Sequence, residues 1–398
     1  MIRRILKWLI VSLFLLFFVI FCLKEVCQVL HVWTILNFLG NTSQIFAVYS
    51  LPARIVFAIV YYALLISGTG LLLLIIALQR KKKNHFVGRL IGIECVVFVL
   101  FVVFNAWIDP RSNPWLHIRQ PVINTDISNI AKQPILISTD NATTARLFSF
   151  IAPEQDDGLA LAVLLQAEKA GQLSILGITS TFGNIDGETA YRVTLKQVAL
   201  SGLPIPVVKG ASYAGQKNSQ AVEYIAKTLR NSDQRVTLVA LGPVTDFAAV
   251  FSKYPELKQK VGDFLVVRSG PYLNQDRWFL YSFNALQDYN AAIALYEMGA
   301  NQIAMGTEVF KVGLSDGTIA AISSIRTPMT QFIGKDLPLW NQENKMVRGA
   351  DMCPWDLVWV MYLTDPGLFS VQLSNDHLVL HLQDREVLVR TVLERLSI

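Results

Sequence analysis

From Pro134 onward, short runs of β-branched and aliphatic residues alternate with longer runs of helical character, and this alternation limits the fold more than any other feature. ILIST (135–139), ILGITST (175–181), IPVV (205–208), VTLVAL (236–241), FLVV (264–267) and QIAM (302–305) read as buried strands, apolar on both faces. Between them GLALAVLLQAEKAG, GETAYRVTLKQVALSG, VTDFAAVFSKYPELKQK and NAAIALYEMGA carry apolar residues at helical spacing, several closing on Gly. Strands and helices in turn predict an α/β domain over 134–398: a mostly parallel central sheet with helices on both faces. In such a fold a ligand sits beyond the carboxyl ends of the strands.

That rule picks out the stretch STDNATTARLFSFIAPEQDDG, residues 138–158. Asp140 directly follows the strand ILIST, and Asp156 and Asp157 open the helix that packs back on the sheet. Both acidic stations therefore face one crevice. Acids at a helix start are favoured by the helix dipole and can serve as caps. Three carboxylates brought together repel unless a cation or a substrate's hydroxyls separate them. A hard divalent ion bound by oxygen, such as calcium with carboxylates, carbonyls and waters, answers that repulsion.

The first 107 residues have a different character, and they account for much of the 53% hydrophobic fraction. Ile5–Leu23, Ile55–Leu78 and Leu90–Trp107 each approach or exceed the roughly 18–20 apolar residues that cross a bilayer, so three transmembrane helices are expected at about 5–23, 55–78 and 90–107. A cleaved signal peptide is the rival reading of the first, but Lys24 and Glu25 follow it with no small-residue cleavage site. Arg3, Arg4 and Lys7 before the first span, and Arg80, Lys81, Lys82, Lys83 and Arg89 between the second and third, place those segments in the cytoplasm. Everything after Trp107 then lies outside. The segment 24–51 is too polar to span and suits the interface. A linker, 108–133, follows, with Asp109-Pro110 and Asn113-Pro114 breaking any continuing helix. These features describe an integral membrane protein whose partners include the lipid bilayer.

A net charge of +5 would suit nucleic acid only if it lay on the soluble part. It does not: residues 1–133 hold 13 basic against 4 acidic side chains, leaving 22 basic and 26 acidic for the rest. No nucleic-acid partner is expected, and whether the chain forms a homo-oligomer stays open. Cys22, Cys27 and Cys95 lie in or beside the apolar segments, so Cys353 alone cannot build a disulfide framework in the soluble part.

Taken in order, strand–Asp140…Asp156-Asp157–helix, GITSTFGN (177–184), IPVVKGA (205–211), VTLVALGPVTDFAAVFSKYPEL (236–257), FNALQDYNAA (283–292) and PWDLVWVMYLTDPGLF (354–369) resemble the inosine-uridine preferring nucleoside hydrolase family, calcium-dependent N-ribohydrolases. The resemblance covers roughly 134–370. It implies Asp140 as metal ligand and general base, and Asp157, the backbone carbonyl of Leu241 and Asp356 as further ligands to Ca2+. It implies Asp156 on the ribose 2′-hydroxyl and Asn184 and Asn284 as ribose-binding amides. Structural roles are open to several of these: Asn184 as a strand end, Asn284 as a turn, Asp356 as a helix cap. The activity implied is hydrolysis of the N-glycosidic bond of a ribonucleoside or related N-riboside, through an oxocarbenium-like sugar attacked by metal-activated water.

Several positions depart from the family pattern D-x-D-P-G-x-D-D. Ser138 stands at the first acid, Asn141-Ala142 replaces Pro-Gly, and fifteen residues (141–155) separate Asp140 from Asp156 where the pattern has three. This insertion must leave the metal loop and return, with Phe148, Phe150 and Ile151 either forming a lid or packing on the linker or membrane surface. Trp355 occupies the position of a His proposed to protonate the leaving base; indole donates a hydrogen bond but is no general acid. It could instead stack on a purine base, or simply belong to the core. Ser282 stands for a sugar-binding Glu, and SYAGQKNSQAV lacks the active-site loop's His. The alternative to a hydrolase is a relative without turnover that binds a ribosyl ligand and calcium as a receptor or scaffold.

Overall fold

A computed structural model describes residues 117–119, 133–146, 152–266, 278–280, 282–298, 303–306, 308–309, 312–348, 350–373 and 378–397. The chain divides into two compact units, and apart from 117–119 everything described belongs to one of them. The three predicted spans, the 24–51 segment, most of the linker and Phe148, Phe150 and Ile151 lie outside the described residues. Among the described residues no helix is long and apolar enough to cross a membrane.

Five parallel strands form the central sheet in the order β3-β2-β1-β4-β5: β1 Ile135–Thr139, β2 Ile175–Ser180, β3 Val207–Lys209, β4 Val236–Ala240 and β5 Val261–Val266. The innermost strand, β1, is buried along its whole length, with Ile135, Leu136 and Ile137 fully enclosed. Strand order reverses between β1 and β4, which makes the space beyond their carboxyl ends the topological switch point of the sheet.

Four helices connect these strands: α1 Asp156–Lys169, α2 Gly187–Ser201, α3 Gln220–Asn231 and α4 Thr245–Lys253. Right-handed crossovers place α1 and α2 on one face of the sheet and α3 and α4 on the other. Their packing agrees, since α1 lies against α2 while α3 and α4 lie against each other. Further along come α5 Phe283–Gln287, α6 Tyr289–Glu297, α7 Asp316–Ser324, α8 Pro328–Ile333, α9 Leu337–Arg348, α10 Trp355–Thr364 and α11 Arg385–Leu396. Helices α1 and α10 are apolar nearly all round because both are enclosed; they pack on each other, and α8 and α11 cover α1 as well.

The run QIAM was expected among the central strands. It forms β6, Ile303–Met305, near β5, but its hydrogen-bonding partner is β8, Leu378–Leu382. With β7, Phe369–Leu373, antiparallel to β8, it makes a separate three-stranded sheet ordered β6-β8-β7. A three-residue strand has no preference of its own between two sheets, and the hairpin 369–382 supplies a free edge for it.

Candidate active site

The site lies at the switch point and is assembled from chain ends that the fold brings there. Asp140 follows β1 and is fully buried. Its Oδ2 accepts the backbone N–H of Asn184 at 2.7 Å, while its Oδ1 has no hydrogen-bond partner. The turn after β2 can come this close only because residue 183 is glycine, for a Cβ there would fall on the Asp140 carboxylate. Gly183 also holds a φ of 156°, which L side chains rarely adopt.

Asp156 and Asp157 form the first turn of α1, and Asp356 lies in the first turn of α10. The two helices start at the same place, so both dipoles present their positive ends to these acids. Asp156 Oδ2 accepts the backbone N–H of Asp356 at 3.1 Å, and its Oδ1 is buried without a partner. Asp157 accepts hydrogen bonds from the Thr139 hydroxyl and, at 3.3 Å, from the Asn184 side chain. Oxygens of Asp156, Asp157 and Asp356 all lie within 4.8 Å of one another. Asp140 stands beside this trio, joined to it through Asn184, which holds Asp140 with its backbone and Asp157 with its amide.

Four buried carboxylates in one pocket must resist ionising. Burial above all, and then the charge of Asp157, raises Asp140 well above the usual carboxylate range. Asp156 and Asp356 are raised in the same way, by burial first and by neighbouring acids second, with Glu154 contributing to both. Burial lifts Asp157 to about 6, and hydrogen bonds from Thr139, Asp356 and Asn184 oppose the rise. Like charges held this close, with little water to screen them, favour a cation or a hydroxyl-bearing ligand among them.

Leu241 follows β4, and its carbonyl accepts the Asn284 side-chain N–H at 2.5 Å, leaving Asn284 Oδ1 buried and unpartnered. Asn284 rides on the short helix α5, whose first turn is capped by Ser282 at the position of the family's Glu. Trp355, half-buried, packs against the main hydrophobic core. The structure thus joins Asp140, Asp156, Asp157, Asp356 and Asn184 in one network and couples Leu241 to Asn284.

Three contributors were not anticipated from the sequence. Thr139 fixes Asp157; its signal was only its place at the end of a strand. Glu154 adds a fifth carboxyl group from the returning arm of the insertion and helps raise Asp140, Asp156 and Asp356. The buried hydroxyl of Thr181, at the end of β2, has no partner and lies against the same turn as Asp140. Among the described residues, His381 is engaged with Glu308 on the second sheet, at 3.1 Å, and no histidine joins the acid network.

A doubly wound parallel sheet with buried acids at its switch point is the ligand-binding arrangement of open α/β folds. Residues 152–394, well over half of the chain, match the inosine-uridine preferring nucleoside hydrolase family. The chain belongs to that family and is an N-glycosyl hydrolase. The matched span takes in every site residue named above except the β1 segment with Thr139 and Asp140.

Among curated relatives, the pyrimidine-specific ribonucleoside hydrolase RihA of Salmonella agona is 28% identical over 253 residues, covering 55% of this chain and 79% of the relative. Two solved structures share the fold. A plant nucleoside hydrolase, PpNRh1, superposes with a TM-score of 0.53 at 16% identity, over 67% of this chain and 99% of the other. The purine-preferring ribonucleoside hydrolase from Gardnerella vaginalis does so with 0.53 at 18% identity, over 67% and 98%.

Proposed function

We propose that this chain hydrolyses the N-glycosidic bond of a ribonucleoside or related N-riboside, with calcium held by Asp157, Asp356, Asp140 and the Leu241 carbonyl. The observation that carries the reading is a set of buried oxygens with nothing to bond: Asp140 Oδ1, Asp156 Oδ1 and Asn284 Oδ1. Buried polar atoms are normally satisfied, so three orphans around one acidic pocket fit an oxygen-bound cation and a sugar with hydroxyls to share. Calcium, when bound, neutralises the acids and lowers the pKa of water in the pocket.

Asp140 is the general base. The Asn184 N–H on its Oδ2 fixes the carboxyl group in the pocket, and with calcium neutralising the acids the ionised carboxylate would take the proton of the attacking water. Asp156 and the amides of Asn184 and Asn284 hold the ribose hydroxyls, and a sugar so fixed needs little further reorganisation to react. The buried walls exclude bulk water, which strengthens each of these interactions at the oxocarbenium-like stage. Trp355 offers the leaving base an aromatic face. The three apolar segments of residues 1–107 tether this activity to a membrane, with the hydrolase on the extracytoplasmic side.

The test uses the full-length chain and a panel of purine and pyrimidine ribonucleosides, following ribose release with calcium and with chelator. Release that needs calcium and is lost in Asp140→Ala is expected. Release that persists in Asp140→Ala, or that ignores the chelator, contradicts the assignment. Extraction of membranes at alkaline pH checks the tether, since a peripheral protein would be released and a spanning one retained.

A further inference from the structure

The insertion 141–155 poses a physical problem that a three-residue gap does not. A loop of three residues fixes the distance between its flanking acids by covalent geometry alone, whereas fifteen residues leave that distance to noncovalent contacts. The described parts of the insertion show where those contacts are.

At its outer end the insertion is held against the α9 region. The Arg146 guanidinium pairs with the fully buried Asp336 carboxylate, with the closest approach 2.5 Å. On the returning arm the Ala152 N–H reaches Glu343 at 3.2 Å. These anchors fix the excursion but lie several residues from either acid.

At its inner end the Gln197 side chain spans the gap from behind, alongside the Thr139, Asn184 and Gln155 contacts. Gln197 Oε1 accepts the Asn141 side-chain N–H at 2.8 Å, and Gln197 Nε2 donates to the Gly158 carbonyl at 2.7 Å. Asn141 is the neighbour of Asp140, and Gly158 is the neighbour of Asp157. All three bridging groups are buried. Asn141 in turn accepts the Thr143 N–H at 3.0 Å, and Thr143 packs so closely on Gly158 that a Cβ at 158 would fall on its hydroxyl. Thr144 adopts φ 60°, a left-handed conformation that a β-branched residue keeps only when its surroundings over-determine it, and its N–H is taken by Gln155 at 3.0 Å. Gln197 itself lies on the inward stripe of α2 with Gly187, Ala190, Thr194 and Val198, where an apolar side chain would be the ordinary occupant.

We infer that Gln197 is a positioning residue of the active site: by bridging Asn141 and Gly158 it helps Thr139 and Asn184 set the separation of Asp140 from the Asp156–Asp157 pair across the insertion. The inference rests on the proposed calcium-dependent hydrolase reading of that pocket. Gln197 touches neither substrate nor cation; it acts through the two backbone segments that carry the acids. Removing such a support from a metal site costs about 10- to 100-fold in metal affinity or activity.

Full-length Gln197→Leu and Gln197→Asn test it in parallel. Leu keeps the volume and loses both hydrogen bonds; Asn keeps the amide but is one methylene too short to reach both partners. Calcium affinity by titration calorimetry, kcat and KM for ribose release, and the melting temperature in chelator are measured for each. Both variants are expected to fold, to bind calcium about 10- to 100-fold more weakly and to lose kcat to a similar extent, with KM moving less. A lowered melting temperature with unchanged calcium affinity and unchanged kcat overturns the inference, because Gln197 would then only support the core. Wild-type chain that neither binds calcium nor releases ribose refutes the hydrolase reading itself, and the inference falls with it.

Discussion

Asp246 allows a prediction whose size follows from the structure. It is fully enclosed in the first turn of α4, where its carboxylate accepts the Ala211 N–H at 2.9 Å and the Ser219 hydroxyl at 2.5 Å. Burial lifts its pKa from 3.8 to about 6 against the opposing effect of those two bonds. The folded chain then binds more protons than the unfolded one between those values, so this group's contribution to stability falls as pH rises through the window. Above about 6 the ionised side chain costs the fold on the order of 3 kcal/mol.

Asp246→Asn removes the charge and keeps the shape. The new amide oxygen can accept from Ala211, and its N–H₂ can donate to Ser219, whose hydroxyl accepts as readily as it donates. Trading charge-assisted bonds for neutral ones returns part of the gain, which leaves about 1–2 kcal/mol of net stabilisation at pH 7.5. At pH 4 the wild-type carboxyl is already neutral in the folded state, and the gain should vanish. Urea denaturation of the full-length protein and the variant, in chelator at both pH values, measures the difference. Equal destabilisation at both pH values would refute the reasoning, since the cost would then lie in lost hydrogen bonds and not in a buried charge.

Two further outcomes are expected. In chelator, the raised pKa values of Asp140, Asp156, Asp356 and Asp157 make stability fall as pH rises, for Asp157 through about 6; added calcium should reverse the fall at neutral pH and lose its effect in acid, which a melting series with and without calcium checks. Gly183→Ala places a methyl on the Asp140 carboxylate and should lower kcat by about 100-fold, the scale of a 1 Å displacement of a catalytic group, with circular dichroism unchanged.

What could be read from the sequence divides along physical lines. Four of the five central strands were legible because each holds a buried apolar run, as a doubly covered parallel strand does; the edge strand β3, expected as buried IPVV, is half-buried and runs Val207–Lys209. Asp140, Asp156 and Asp157 were legible for a related reason: they fall where a strand ends and a helix begins, and the switch-point rule turns that sequence position into a spatial one. The sheet membership of β6 was not, because three residues carry no record of which edge they will pair with. Nor was the closest trio of oxygens. The family resemblance set Asp140 with Asp157 and Asp356, whereas the convergence of two helix starts puts Asp156 within 4.8 Å of the latter pair. Gln197 was invisible for a different reason, being a polar residue on a helix face whose partners lie 56 and 39 positions away. Long-range pairs of this kind leave no local pattern.

The central claim is that one divalent cation gathers acids from β1, α1 and α10. A crystal structure of the full-length protein grown with calcium tests it most directly. A single ion is expected at about 2.3–2.6 Å from carboxylate oxygens of Asp140, Asp157 and Asp356 and from the Leu241 carbonyl. A pocket with no ion, or an ion bound away from these residues, would contradict this assignment.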